Sequence, residues 1–390
     1  MRPTTPRTAL ARTASGLLLL LLAAPAAWAG TITGTDAIYR KSGGDPIRGV
    51  ITGESMDGIQ IGNQVTIPII GVAKIDYYDA PEAYKRGHDR RAQGIYGEAI
   101  KYFESAPKSA NVRKFWIEPA SLYYAGLCYI EEGNDLAAAQ AKFHELLQAY
   151  PQSRWAPDAM LGLGRALYVA KKWDAALAQF ANLAKLVAPK TGWEEWLAVA
   201  ALWQGRTYLE SKRLDEAMKS IKKVLSVVSD PKNDLYIQAK TVEAMALLEQ
   251  NETEKAVAEL DKLIKLIAPR VADEIEHPET GTARMQRTEA QCHNALGQAL
   301  LKLYAKSKKE EDLRASLLAF LWTVVLYPRA QFVPEHMEAL HFASQCFLKL
   351  NQKNRASELN SELIRLYPEN PYTRVPGAEK AGAPRKETEK

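Results

Sequence analysis

One pattern constrains this chain more than any other: a helix-pair signature that recurs about every 40 residues from Tyr84 to Pro368. Its clearest copy runs Met160-x-x-Leu163-Gly164, then Trp173-x-x-Ala176-x-x-x-Phe180, then Pro189. Repeats of this period bury their apolar faces only by stacking on neighbours, so the chain grows along an axis and not around a centre. That reading accommodates 390 residues, which exceed one average globular core. The expected fold is mainly α, a solenoid of about seven helix pairs.

Small residues mark the register. Gly126, Gly164, Gly205 and Gly297 each fall inside a helix-like stretch. An interior glycine costs about 1 kcal/mol relative to alanine, so several in register imply close helix-to-helix approach. Downstream lie Ala99/Phe103, Ala139/Phe143, Ala176/Phe180, Ala217/Ile221 and Ala256/Leu260, each pair four apart and on one helix face. Pro151, Pro189, Pro231, Pro269, Pro328 and Pro368 then close the units, since proline cannot continue a helix. Two insertions lengthen the sixth unit. Arg270–Ala283, with Pro278 and Gly281, reads as a loop and a secondary binding candidate, and Lys306–Asp312 reads as a solvated turn.

These residues resemble the tetratricopeptide repeat (TPR) family, whose pattern is W-x-x-L-G-x-x-Y, then A-x-x-x-F-x-x-A, then P. Leu163, Gly164, Ala176, Phe180 and Pro189 follow it, as do Leu122, Gly126, Tyr129, Ala139, Phe143 and Pro151 with one inserted residue near Gly133. Gly87, Tyr96, Ala99, Phe103 and Ala106 form a first copy. Ala244 stands for glycine in the fifth copy, and Ala343 or Ser344 in the last. The resemblance implies a protein-binding groove lined by the first helix of each pair. On this chain it selects Tyr84, His88 and Arg91, then Tyr123, Leu127 and Ile130, then Leu161, Arg165 and Tyr168, then Leu202, Arg206 and Leu209. Arginine and tyrosine are enriched at interface hot spots, and a guanidinium grips a carboxylate bidentately. The implied ligand is a protein or peptide carrying an acidic group. The competing reading has Leu127, Leu161 and Leu202 only packing between repeats. The asparagine–lysine carboxylate clamp of one TPR group does not carry over, because Leu127, Arg165 and Arg206 stand where its asparagines belong. The endings Tyr150-Pro151, Tyr327-Pro328 and Tyr367-Pro368 are similar to those of bacterial envelope TPR proteins. The resemblance therefore implies a cell-envelope scaffold or adaptor, although a lipid-acceptor cysteine is missing and the amino-terminal region reads as β-rich.

Residues 1–29 read as a secretory signal peptide. Arg2, Arg7 and Arg12 precede an apolar run from Gly16 to Ala27, and Ala27-Trp28-Ala29 supplies an A-x-A site. The run is shorter than the roughly 20 residues of a membrane span, so no transmembrane segment is expected after cleavage; an uncleaved anchor is the alternative. Export, most simply to the periplasm, follows. Cleavage removes three arginines and no acid, taking the net charge from +5 to +2, and no basic stripe in the repeats points to nucleic acid.

Residues 30–79 have another texture. The runs Asp36–Arg40, Ile47–Glu54, Gly58–Ile61, Gln64–Ile69 and Val72–Tyr78, separated by glycine turns, predict about five short strands in a small SH3-like barrel. Under 50 residues make a marginal core, so this unit is expected to pack on the first repeat through Asp79-Ala80-Pro81. Residues 80–369 hold the repeats. Residues 370–390 are rich in Pro, Ala, Gly, Lys and Glu and predict a disordered tail.

The chain carries no motif for catalysis, a cofactor or a metal. His336 and His341 are five apart and not the four of H-E-x-x-H; zinc-type cysteine spacing, G-x-S-x-G and the P-loop pattern are all missing. Trp193-Glu194-Glu195-Trp196 suggests a carbohydrate site, but a helix start with both tryptophans packing on the third repeat explains it better. Cys128, Cys292 and Cys346 fall in predicted first helices, where buried packing suits Cys128 and Cys346 and a Cys292–Cys346 disulfide is an option. The expectation is a non-enzymatic scaffold that binds a protein or peptide; the alternatives are an adaptor whose β-rich domain binds cell wall or a membrane complex, and a non-catalytic accessory subunit of an envelope enzyme.

Overall fold

The computed structural model describes residues 34–62, 65–276, 284–327, 333–368 and 370–372. Residues 1–29, Pro278, Gly281 and Pro328 lie outside them. Among the described residues fourteen α-helices form seven antiparallel pairs: α1 (Glu82–Ala92) with α2 (Tyr96–Ser105), α3 (Lys114–Glu132) with α4 (Leu136–Ala149), α5 (Ala156–Val169) with α6 (Trp173–Val187), α7 (Glu194–Glu210) with α8 (Leu214–Val227), α9 (Asp234–Glu249) with α10 (Thr253–Glu276), α11 (Arg284–Ser307) with α12 (Glu310–Leu326), and α13 (Val333–Lys349) with α14 (Lys353–Leu366).

The glycines sit where the close-approach argument puts them. A Cβ on Gly164 would lie 2.3 Å from the Phe180 ring, and one on Gly126 would lie 2.7 Å from Phe143. Gly87 meets Phe103, Gly205 meets Ile221 and Gly297 meets Phe320 in the same way. Each first helix therefore offers a notch that the bulky residue of its partner fills, and all four of these phenylalanines are fully buried.

Each pair turns through one left-handed residue: Gly94, Gly133, Lys171, Lys212, Asn251, Lys308 and Asn351, with φ between 57° and 76°. The turn after α5 shows the reason. Lys172 N–H donates to Leu167 C=O and Lys171 N–H to Tyr168 C=O, the paired bonds of a Schellman C-cap. The turns at Gly94, Lys212, Asn251 and Asn351 repeat both bonds. Lys308 and Lys309 form the turn inside the expected Lys306–Asp312 segment.

Two expectations about the repeats change. Pro269 does not end its helix, and Arg270–Glu276 is helical instead of loop. Packing overrides the proline: Val271 is buried with Ile267 and Met285, and Arg270 pairs with Asp234. Glu274 then accepts the Met285 and Gln286 N–H groups at the start of α11. The cysteines are all free and buried. Cys292 lies 3.4 Å from the Thr241 hydroxyl and Cys346 lies 3.6 Å from that of Ser316, so each is spent on its own core and the two are not bridged.

Among its described residues the amino-terminal unit has six strands, because the run Ile47–Glu54 breaks at Val50, where the chain passes from one sheet to another. β1 (Asp36–Arg40) lies between β2 (Ile47–Gly49) and β6 (Val72–Asp76); β4 (Gly58–Ile61) lies between β3 (Ile51–Glu54) and β5 (Val65–Pro68), all antiparallel. Ile38, Ile51, Ile59 and Ile67 fill the space inside.

This unit docks on more than the first repeat. Three basic residues just ahead of α3, α5 and α7 each take acids from it. Arg113 bridges Asp36 and Asp79 at 2.6 and 2.7 Å, Arg154 holds Glu54 at 2.7 Å, and Lys190 holds Asp57 at 2.5 Å. Tyr77 stacks on Trp116 with centroids 3.9 Å apart, and Met56 inserts among Ala156, Leu183, Val187 and Trp193. The short unit thereby borrows the core it is too small to build. Trp193 and Trp196 pack together at the start of α7 with Glu194 and Glu195 exposed, as the helix-start reading requires. At the other end Asn370 is buried, and Tyr372 stacks on His341 of α13 at 4.4 Å.

Candidate functional site

The first helices share one inner surface. Charges on α1, α3, α5, α7, α11 and α13 act together: Arg165 feels Glu131, Arg287 and Arg91, while Arg206 feels Arg165, Glu335 and Arg287. Arg287 also acts on Tyr96 of α2. The array therefore curls far enough to bring α11 and α13 into electrostatic reach of its early repeats.

At the middle of this surface Trp203 of α7 lies between two guanidiniums. Arg165 sits 5.4 Å from its ring centroid and Arg206 5.1 Å, both within cation–π range. Phe180 and Tyr168 pack against the same indole. Arg206 donates to Gln238 Oε1 at 3.2 Å. Among the described residues neither arginine forms an ion pair. Both are held below the ordinary arginine value, first by burial. A desolvated cation with no counter-ion is costly, and a ligand carboxylate would relieve that cost.

The other sequence-selected residues divide by environment. Leu127 and Leu202 are 5% and 1% exposed and belong to the inter-repeat core, so they are not groove surface. Ile130 and Leu209 are buried too, and Leu161 is partly buried against the same core. Helix periodicity puts these residues on the correct side, but a neighbouring repeat covers them. Arg91 is already spent on Glu131, with Nε and Nη2 at 2.9 and 2.6 Å from its two carboxylate oxygens. Tyr84 and His88 lie in an aromatic cluster with Phe103 and Tyr124. Burial lowers His88 to about 4, so it is neutral at pH 7. Tyr123 stacks on Trp155 at 5.0 Å, and Tyr168 packs edge-on against Trp173 and Trp203.

Sequence reasoning passed over Trp203, although it lies three residues before Arg206 on the same helix face. It also passed over an acidic, amide-rich stretch further along the surface: Glu210 on α7, Gln291, Asn294 and Gln298 on α11, and Glu338 on α13. Their common facing follows from the curl of the array, which no local spacing records.

A family model for the tetratricopeptide repeat matches residues 120–153, the α3–α4 pair with its closing turn. The fold is that of a TPR array. A Rap protein solved in complex with competence and sporulation factor is similar, at 15% identity over 74% of this chain and 74% of that one, with a TM-score of 0.50. A tetratricopeptide repeat protein from Parabacteroides merdae ATCC 43184 is 14% identical over 73% of this chain and 92% of that one, with a TM-score of 0.47. NprR in complex with its cognate peptide NprX is 14% identical over 75% and 80%, with a TM-score of 0.48. No curated protein matches the chain. Among the described residues of the TPR array and its β unit, no helix is long and apolar enough to cross a membrane, and no group of three or more His, Cys, Asp or Glu could hold a metal ion.

Proposed function

We propose that the chain is an exported, non-enzymatic scaffold that holds a segment of another envelope protein along the inner surface of its TPR array. An acidic group of that ligand lies between Arg165 and Arg206. The observation that carries this reading is the pair of unpaired, desolvated guanidiniums on the two sides of Trp203. An aromatic anchor and arginines at the centre of a concave surface are what interface hot spots are made of. The Rap protein of similar fold, solved with a bound factor, supports a binding role for the array.

Export rests on the composition of residues 1–29. The buried, free thiols suit it: burial raises Cys128 and Cys292 to about 12, which leaves them protonated and unreactive in an oxidising compartment. An alternative is an adaptor whose β unit binds cell wall or a membrane complex. The ion pairs by which Arg113, Arg154 and Lys190 fix that unit ahead of α3, α5 and α7 favour a wall of the array over a separate module.

The test is affinity capture with tagged mature protein from envelope extracts of the native host, compared with Arg165→Glu/Arg206→Glu. A stoichiometric partner lost by the variant is the expected result. A partner retained by the variant refutes the arginine site. Amino-terminal sequencing of the mature chain is expected to begin at Gly30; a chain that begins at Met1 or Arg2 refutes cleavage.

A further inference from the structure

Four residues past Arg206, about 6 Å further along α7, the inner surface reverses its charge. A cavity of about 180 Å³ opens between α7, α9, α11 and α13, lined by Glu210, Met245, Glu249, Asn294, Gln298 and Glu338 among others. Its polar groups are arranged in an unusual way. Gln298 Nε2 donates to Glu338 Oε1 at 2.5 Å, and Asn294 Nδ2 donates to Glu338 Oε2 at 2.9 Å. Asn294 Nδ2 also donates to the Glu335 carbonyl at 2.8 Å, so both amide protons are used. Asn294 is 1% exposed, and among the described residues neither its Oδ1 nor the buried Oε2 of neighbouring Glu335 has a donor.

The charges are as incomplete as the hydrogen bonds. Lys212 neutralises Glu249 at 2.7 Å. Among the described residues no cation lies within ion-pair distance of Glu210 or Glu338. Burial raises both carboxyls above the usual range, and Glu335 and Glu210 raise Glu338 further. The Tyr372 hydroxyl stands close enough to feel both acids. Lys212 also lines the cavity but is engaged by Glu249, so its carboxylates outnumber its cations and Glu210 and Glu338 still call for donors and a counter-charge. A group that supplies both at once is an ammonium, with three N–H donors, or a guanidinium, with five.

We propose that this cavity takes a basic side chain of the bound segment, with Glu338 and Glu210 as the counter-charges. The proposal rests on the inner surface being the binding face. It adds a chemical constraint to the ligand: an acidic and a basic residue close together. The rise from Arg206 to Glu210 corresponds to about two residues of extended chain at roughly 3.3 Å each.

Met245 lines the cavity and provides a reporter. Full-length mature protein labelled with ¹³C at methionine methyls is titrated with n-butylammonium chloride, with n-butanol and sodium chloride as controls. The expected result is a saturable shift of the Met245 methyl with the ammonium alone. It is weakened at least tenfold in both Glu338→Gln and Glu210→Gln and retained in Arg165→Gln/Arg206→Gln. The other methionine resonances report that each variant is folded. An equal shift with n-butanol, no shift with the ammonium, or full affinity in Glu338→Gln overturns the proposal. None of these outcomes touches the arginine pair, which the capture experiment tests separately.

Discussion

Replacing Arg113 by alanine should unfasten the β unit while leaving the later repeats folded. The Arg113 side chain makes five hydrogen bonds: Nε to Asp79, Nη1 to Asp36 and the Ile51 carbonyl, and Nη2 to Asp36 and Asp79. Asp36 is fully buried and keeps only the Ile51 and Tyr78 N–H groups once the guanidinium is gone. Asp79, though burial opposes its charge, is held below the usual carboxylate range by Arg113. Removing one partner of a buried pair costs about 3–5 kcal/mol, and here one cation serves two acids, so the upper part of that range applies. A repeat array opens in sections, so the loss should be local and not a single shift of one transition. Hydrogen exchange followed by mass spectrometry reads this directly. Protection of β1 and β6 should fall by roughly three to three and a half orders of magnitude, with little change in α11–α14. Asp36→Asn in the same background should recover part of it, because a neutral amide needs no cation, giving a clear coupling in the double-mutant cycle. Arg113→Lys should fall between, since a point charge cannot bridge both carboxylates. Unchanged protection of β1 in Arg113→Ala, or simple additivity with Asp36→Asn, would refute the argument.

Gly164→Ala should destabilise the third pair by about 1–3 kcal/mol despite the better helix propensity, because the new Cβ meets the Phe180 ring; Phe180→Leu should relieve it in urea unfolding, and a stabilised single variant would count against the notch. Lys171→Gly should lose nothing and gain up to about 1 kcal/mol, since a left-handed φ of 57° strains any residue with a Cβ. A marked drop in melting temperature there would mean the lysine side chain is needed. Asp158 is raised by burial to about 7, with Arg154 opposing. The folded state therefore keeps a proton that the unfolded chain releases near pH 4, and its stabilising effect fades as pH rises from about 4 through 7. Asp158→Asn should raise the melting temperature at pH 8 and change it little at pH 4; an equal difference at both would refute the titration.

Much of the architecture was legible in the chain because it is local. A 40-residue period, an alanine and a phenylalanine four apart, and a glycine in the preceding helix are facts about neighbouring segments, and the contact Gly164–Phe180 joins helices only one turn apart in sequence. The same holds for Pro151, Pro189, Pro231 and Pro368, each within four residues after a helix ends. Pro269 was misread because the burial of Val271 against Met285 comes from the next pair, and a proline costs a helix only what packing can return.

The inner surface was legible in part. Arg165 and Arg206 could be picked by register, since one repeat separates them. That Arg91 is neutralised by Glu131, or that Leu127 and Leu202 are covered, depends on which residue of the next repeat sits above each. The sequence by itself determined the repeat, its helix pairs, the notches between them and a β-rich start, because each follows from spacing within about one period. Only the tertiary structure decided that the β unit lies across three repeats, that Trp203 separates two unpaired arginines, and that Glu210, Asn294 and Glu338 face one cavity. Those relations arise from small angles between successive pairs that accumulate into a curl, and a curl summed over many interfaces leaves no mark in any single stretch of chain.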